Sequence, residues 1–319
     1  MKHYCLIGGG GFIGVHVANT LLLRGQQVTI LDTRPAPSHL TRGAQYRVGD
    51  YSCKETLRKV LPGIDRVINL SYASVPSTSI KDPVQDILSN LPAAVNLLEV
   101  AGEYAIQKIV QISSGGTVYG PAQELPLTED HPTNPISPYG VTKLAIEKYG
   151  LMFCRLKELP VVTVRPANAF GEHQNPFLGQ GFIAAAMAAI LDRQAITLYG
   201  AQGTIRDYVH VEDVAGGIVA ASEHGHPGGI YNIGSGQGRS NRDVLEEIRP
   251  HAEALGFSLQ MHSMPARRFD VEANVLDSHK LRSETGWNIT IPFPEGIRRT
   301  WEWFVNNRGG WAGLRDSTR

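Results

Sequence analysis

Gly8-Gly9-Gly10-Gly11-Phe12-Ile13-Gly14 is the stretch that decides how this chain folds. A short apolar run, Tyr4–Gly8, leads into it. A helical pattern leaves it, with apolar residues at Ile13, Val17, Leu21 and Leu22 and Gly25 beyond the last of them. The Gly-x-x-Gly-x-x-Gly spacing between strand and helix has three physical uses: a tight turn, close approach of backbone to a pyrophosphate, and close contact of helix with strand. The helix N-terminus adds free N–H groups and a partial positive charge that suit phosphate oxygens. A glycine run alone also fits a plain tight turn, so the flanks carry the argument. On that reading Gly8, Gly11, Phe12, Ile13 and Gly14 are expected to cradle a dinucleotide.

Outward from the turn, the β-branched run Gln27–Leu31 ends at Asp32, 18 residues beyond Gly14. A carboxylate there accepts hydrogen bonds from a ribose 2′-hydroxyl and repels a 2′-phosphate, which selects NAD over NADP. Arg34 is the one neighbour that pulls the other way. Asp50, in Val48-Gly49-Asp50-Tyr51, closes the next strand near where an adenine would lie, and an ordinary loop aspartate is the alternative. Tyr51 and Leu70 are further cofactor candidates at strand ends. Ala44–Val48, Arg66–Leu70, Lys108–Ile112 and Val161–Arg165 supply more short apolar strands, with helical patterns between them, notably over residues 80–104. Such strands belong to a parallel sheet buried on both faces, and right-handed crossovers make it doubly wound. After Pro166 glycine and proline become frequent and strands shorten. The expected fold is therefore α/β: a Rossmann-type sheet over residues 1–165 and a smaller C-terminal α/β substrate-binding lobe over 166–319. Within that second span the chain is expected to return to the sheet.

Composition narrows the partners. Lys+Arg and Asp+Glu both number 30 in the 319 residues, so no net field gathers nucleic acid or an anionic membrane, and an anionic ligand needs a local arrangement. No charge-free apolar segment of ~20 residues is present, so no membrane span is expected and the cytoplasm is the expected location. Cys5, Cys53 and Cys154 are sparse and odd in number, as in a reducing compartment. Neither they nor His173, His210 and His262 stand at ligand spacing, so no metal is expected.

The chemistry sits in two segments. Ile112-Ser113-Ser114-Gly115-Gly116-Thr117-Val118-Tyr119-Gly120 leaves a strand at the sheet's carboxyl edge, where open α/β sheets bind ligands. Ser137-Pro138-Tyr139-Gly140-Val141-Thr142-Lys143 opens a helix, and the i, i+4 spacing puts Tyr139 and Lys143 on one face. An ammonium beside a phenol favours the phenolate and lowers its pKa. A phenolate so placed can take a proton from a sugar hydroxyl while a nicotinamide takes the hydride.

With these residues in view, the chain resembles the extended short-chain dehydrogenase/reductase family, and within it the UDP-galactose 4-epimerase-like nucleotide-sugar enzymes. The resemblance runs over nearly the whole chain: Gly8–Gly14, Asn69-Leu70-Ser71, Asn90, Ser113–Gly120, Tyr139–Lys143, Arg165–Gly171, Arg206–Asp213, Tyr231–Gly236, and Arg267 with Asp270. It implies that Tyr139 is the base and that Lys143 binds the nicotinamide ribose and tunes the tyrosine. It further implies that Asn168, Arg206 and Arg267 hold the diphosphate of a UDP-sugar, which suits guanidinium geometry. Family members usually carry Ser or Thr where this chain has Gly115, leaving Ser114, Thr117 or a water to supply a second hydroxyl. Dehydratases and decarboxylases of the family carry acids where Gly116 and Thr117 stand, so the resemblance implies C4 epimerisation with NAD regenerated each turnover. It also implies that Asn274, seven after Arg267, borders the sugar, its intermediate size admitting an N-acetylhexosamine, and that the enzyme is a homodimer.

Overall fold

The first apolar run and the helix behind it form strand β1 (His3–Ile7) and helix α1 (Phe12–Leu23). There follow β2 (Gln27–Asp32), β3 (Gln45–Val48), α2 (Lys54–Val60), β4 (Arg66–Asn69), α3 (Pro76–Lys81), α4 (Pro83–Ala101), β5 (Lys108–Ile112), α5 (Pro138–Lys157) and β6 (Val161–Pro166). Beyond Pro166 come β7 (Asn168–Phe170), α6 (Phe182–Leu191), β8 (Ile196–Tyr199), β9 (Ile205–His210), α7 (Val211–His224) and β10 (Ile230–Ile233). The chain then forms β11 (Gly238–Ser240), α8 (Asn241–Glu253), β12 (Met261–Met264), β13 (Ala273–Asn274), α9 (His279–Thr285) and α10 (Phe293–Asn307). This computed structural model describes residues 1–265 and 271–310.

The large sheet has seven strands in the order β10-β6-β5-β4-β1-β2-β3, all pairings parallel. The central strands carry consecutive apolar residues because alternate side chains enter two different cores, whereas the edge strand β3 (QYRV) is mostly exposed. Leu6, Ile30, Ile68, Val110 and Val164 pack with Val17 and Leu21 of α1 and Val214 and Ile218 of α7. Their neighbours Ile7, Leu31, Val67 and Ile109 pack on the other face with Leu57 of α2 and Leu97 of α4. The sequence is thus α/β and doubly wound, as its alternation of strand and helix requires. The order reverses between β1 and β4, and the crevice at that point is where open sheets of this kind bind ligands.

A second group of strands, β11-β9-β13 with β7 beside β9, and the small pair β12-β8 lie outside the large sheet. They share a third core with α6, α8 and α10 built on Phe170, Met187, Leu198, Leu245, Ile297 and Phe304. Strand β10 belongs to the large sheet, paired with β6.

The helical pattern over residues 80–104 is two helices rather than one. Asp82, at φ −141° and ψ 84°, breaks it, and its side chain accepts from the Gln85 amide at 2.9 Å as the N-cap of α4. Pro83 at the first helical position lacks the N–H that continuing α3 would need. Among the described residues no helix is long and apolar enough to cross a membrane.

Candidate active site

The phosphate turn is built so that nothing but glycine fits it. Gly8 takes φ +72°, and a Cβ there would stand 2.8 Å from the Ser71 Cα, on the neighbouring strand end. A Cβ on Gly14 would meet the Gly8 carbonyl oxygen and the Gly9 Cα, both at 2.7 Å. Gly11 is the N-cap of α1 and uses no side chain to satisfy the helix's first N–H groups, so these remain for a ligand. Phe12 and Ile13 begin the helix at half-buried positions. A backbone-lined cradle of this kind fits a pyrophosphate.

Asp32 ends β2 beside the turn. One carboxylate oxygen accepts from the Gly10 amide and the other from the Arg34 amide, each at 3.0 Å. The Arg34 guanidinium lies 3.5 Å from the same carboxylate, so the two residues form one ion pair at the turn. Asp50 is exposed and accepts from the Ser52 amide, whereas Tyr51 is buried and burial pushes its phenol up to about 12. Leu70 is half-buried and its amide donates to the Ile7 carbonyl across the crevice.

Across the switch point lie Tyr139 and Lys143, both buried on α5. Ser137 caps that helix through the Gly140 amide, and Pro138 holds its first position, which fixes where Tyr139 enters. Lys143 Nζ donates to the Ile112 carbonyl at 2.8 Å, at the end of β5, and lies 5.7 Å from the centre of the Tyr139 ring. Burial opposes the ionised pair that its spacing suggests. Burial, then the Asp86 carboxylate, push the Tyr139 phenol above its ordinary value, while burial holds the Lys143 amine down to about 7. Desolvation is the largest influence on each, because a charge taken out of water loses its hydration.

Ser114 and Thr117 follow β5. The Thr117 hydroxyl is buried and has no hydrogen-bond partner among the described residues, and the Thr117 carbonyl packs against Gly140, next to Tyr139. The glycine at 115 is a packing requirement: a Cβ there would stand 2.3 Å from a Leu276 methyl and 3.0 Å from the Arg165 carbonyl oxygen. Behind the pair, Glu147 accepts from Ser113 Oγ and from Arg165 Nη2, the latter at 2.7 Å.

Asn168, on β7, pairs with Tyr208 in register, and its Oδ1 would stand 3.4 Å from a Cβ on Gly116; Arg206, on β9, donates through Nη1 to the Ile205 carbonyl at 2.8 Å. Arg267 and Asp270 lie outside the described residues. Asn274, on β13, is 1% exposed and its amide donates to the Gly115 carbonyl at 2.9 Å, so its side chain is engaged with the backbone of the Ser114–Thr117 segment.

Four residues escaped the sequence. Tyr72 and Asp86 stand against the Tyr139–Lys143 pair: the Tyr72 ring meets the Tyr139 ring edge-on at 4.8 Å, and its hydroxyl points to Asp86 at 3.4 Å. Arg239 lies directly across β11 from Arg206, with its Nη1 buried and unpartnered among the described residues. The buried Tyr208 hydroxyl is likewise unpartnered. Arg239 lies over the Phe293 ring, 4.2 Å from its centre, with the Asp207, Glu247 and Asp243 carboxylates favouring its charge, a setting that only the register supplies. The structure also gathers Glu172, His210 and Glu212, whose ligand atoms lie within 4.8 Å of one another. Arg299 already bridges the two carboxylates, at 3.0 Å from Glu172, so their charge is met by a guanidinium. His173 stacks on His39 instead, with ring centres 3.7 Å apart.

Residues 4–234 match the model of the NAD dependent epimerase/dehydratase family. A putative UDP-glucose 4-epimerase of Methanocaldococcus jannaschii is 33% identical over 303 residues, covering 94% of this chain and 97% of that relative. The UDP-glucose 4-epimerase of Thermotoga maritima, solved with UDP-glucose, superposes with a TM-score of 0.90 at 28% identity, over 96% of this chain and all of that one. The UDP-glucose 4-epimerase of Thermus thermophilus, solved with NAD, superposes with a TM-score of 0.87 at 33% identity, over 95% of this chain and 99% of that one.

Proposed function

The chain belongs to the NAD dependent epimerase/dehydratase family, and from that premise we propose that it is a nucleotide-sugar 4-epimerase acting on a UDP-hexose or UDP-N-acetylhexosamine. The observation that carries the reading is the buried Tyr139–Lys143 pair across the switch-point crevice from the Gly8–Gly14 turn. NAD, when bound, supplies a cationic ring that accepts a hydride from the sugar carbon and returns it.

The chain's own residues do the rest. Gly8, Gly11, Phe12, Ile13 and Gly14 hold the pyrophosphate, and Asp32, with Asp50, Tyr51 and Leu70 at the neighbouring strand ends, holds the adenosine half. Tyr139 takes the proton of the sugar hydroxyl, and Lys143 holds the ribose and becomes the ammonium that makes the phenol ionisable. Added positive charge in the crevice favours the phenolate and opposes the ammonium, which is left to the Glu147 and Asp86 carboxylates to support. Thr117 is the stronger candidate for the second hydroxyl, because its buried oxygen is unpartnered, with Ser114 beside it. Asn168, Arg206 and Arg267 hold the diphosphate, and Arg239 joins them. Asn274 borders the sugar by fixing the backbone at Gly115. A two-fold pairing through the apolar face left open on α4 and α5, at Val84, Ile87, Leu88, Val141 and Met152, makes the enzyme a homodimer.

The test is incubation with UDP-hexoses, UDP-N-acetylhexosamines and UDP-uronic acids, followed by NMR. Inversion at C4 without net NADH production is expected. A persistent keto product would move the assignment to dehydration. Tyr139→Phe is expected to abolish turnover and leave nucleotide binding intact; turnover near wild type refutes the mechanism.

A further inference from the structure

Tyr72 lies just beyond β4, in a place that the proposed chemistry does not use, yet it makes the nearest ring contact to the pair. Lys143 Nζ sits 4.0 Å from the centre of the Tyr72 ring, closer than the 5.7 Å to the ring of Tyr139. We propose that Tyr72 is a positioning residue for the catalytic pair: its ring face caps and stabilises the Lys143 ammonium, and Asp86, through the Tyr72 hydroxyl, holds the ring in place. This rests on the reading of Tyr139 and Lys143 as the reacting residues.

The geometry is that of a cation over the negative face of an aromatic ring in a desolvated site, where such contacts are strongest. The ring is fixed from three sides. Its edge meets Tyr139 at 4.8 Å. Its hydroxyl points to both oxygens of Asp86 at 3.4 Å, and Asp86 is anchored by Ser74 Oγ. The remaining face carries the Lys143 Nζ. The groups facing Lys143 are Tyr139 and Glu147 of α5, Asp86 of α4, the Ile112 carbonyl of β5 and Tyr72 itself, with Arg165 of β6 held by Glu147. Burial is the largest influence on the amine and opposes its charge, while Glu147 and Asp86 favour it. The Tyr72 ring adds to the favourable side without introducing a second formal charge that would itself need pairing.

The test reads Lys143 directly in the full chain, by NMR of lysine labelled with carbon-13 at Cε and assigned with Lys143→Arg, together with the pH profile of turnover in the NAD-loaded enzyme. In Tyr72→Leu the Lys143 midpoint and the alkaline limb of turnover are expected to fall by about one pH unit, with KM for the nucleotide sugar within about twofold of wild type. Tyr72→Phe keeps the ring and loses only the hydroxyl's hold on Asp86, so it is expected to shift both values by less than half as much. Tyr72→Met is the substitute if the leucine variant does not fold. An unmoved midpoint in Tyr72→Leu or Tyr72→Met overturns the proposal, as does a Tyr72→Phe variant that shifts as far as the leucine. If Tyr139→Phe turned over normally, the reading of the pair would fail instead, whatever Tyr72 did to the amine.

Discussion

The Glu147–Arg165 pair offers a sharp test of what holds the site in shape. Its side chains are 3% and 2% exposed, and the guanidinium reaches both carboxylate oxygens, at 3.0 Å through Nε and 2.7 Å through Nη2. Glu147→Gln preserves shape but leaves a buried guanidinium without its counter-charge. Removing one partner of a fully buried pair costs about 3–5 kcal/mol. At about 2 °C per kcal/mol for a chain of this size, the melting temperature should fall by roughly 6–10 °C. Glu147→Leu with Arg165→Met removes both charges and keeps the volume, and apolar replacement of buried pairs is near neutral or stabilising. The double variant should therefore regain most of the lost stability. Its activity should not return, because Ser113 loses its acceptor at the end of β5 and Lys143 loses a nearby negative charge. Thermal and urea unfolding of wild type, Glu147→Leu, Arg165→Met and the double complete the cycle, with Glu147→Gln as the isosteric control. A single variant costing less than about 1 kcal/mol, or a double no more stable than the singles, would refute the argument.

Three further outcomes follow from the site. Gly14→Ala forces a Cβ to 2.7 Å from backbone atoms of the turn, an overpacking of about 1–3 kcal/mol that should weaken NAD binding roughly 10–100-fold by calorimetry; unchanged affinity counts against the cradle. Arg239→Ala should raise KM for the nucleotide sugar about tenfold with kcat within twofold, the value of one charge-assisted hydrogen bond; a fall in kcat alone would remove Arg239 from the phosphates. Lys143, held down to about 7 by burial, is neutral in the folded chain and charged in the unfolded one between pH 7 and about 10. The unfolded state binds the extra proton there, so this residue's contribution to stability rises with pH through that window. The stability of wild type relative to Lys143→Met should therefore improve from pH 7 to pH 9 by chemical denaturation, and a constant difference would contradict it.

The alternation of apolar runs with helical patterns made the sheet legible, since strands such as β1 and β2, with consecutive apolar residues at Cys5–Ile7 and Ile30–Leu31, arise where both faces are covered. The glycine turn was legible for the same reason: its residue type is dictated by backbone contacts a few residues away. What escaped was set by contacts distant in the chain. Tyr72 and Asp86 meet only because β4 and α4 flank the start of α5, and Arg239 meets Arg206 only through an antiparallel register that spacing cannot give. For Tyr139 and Lys143, i, i+4 placement reports proximity and says nothing of how deeply both groups are buried, which opposes the charge of each.

Strand β10 carries a consequence for how the chain is made. It completes the large sheet beside β6, although some sixty residues, among them the strands of the second layer, separate the two in sequence. During synthesis β6 leaves the ribosome as an open edge, its N–H and C=O rows unpaired on one side, and waits for residues 230–233 to emerge. A fragment cut at the apparent boundary near Pro166 would keep that edge permanently and be prone to associate through it, so the shortest stretch able to fold cleanly extends past Ile233.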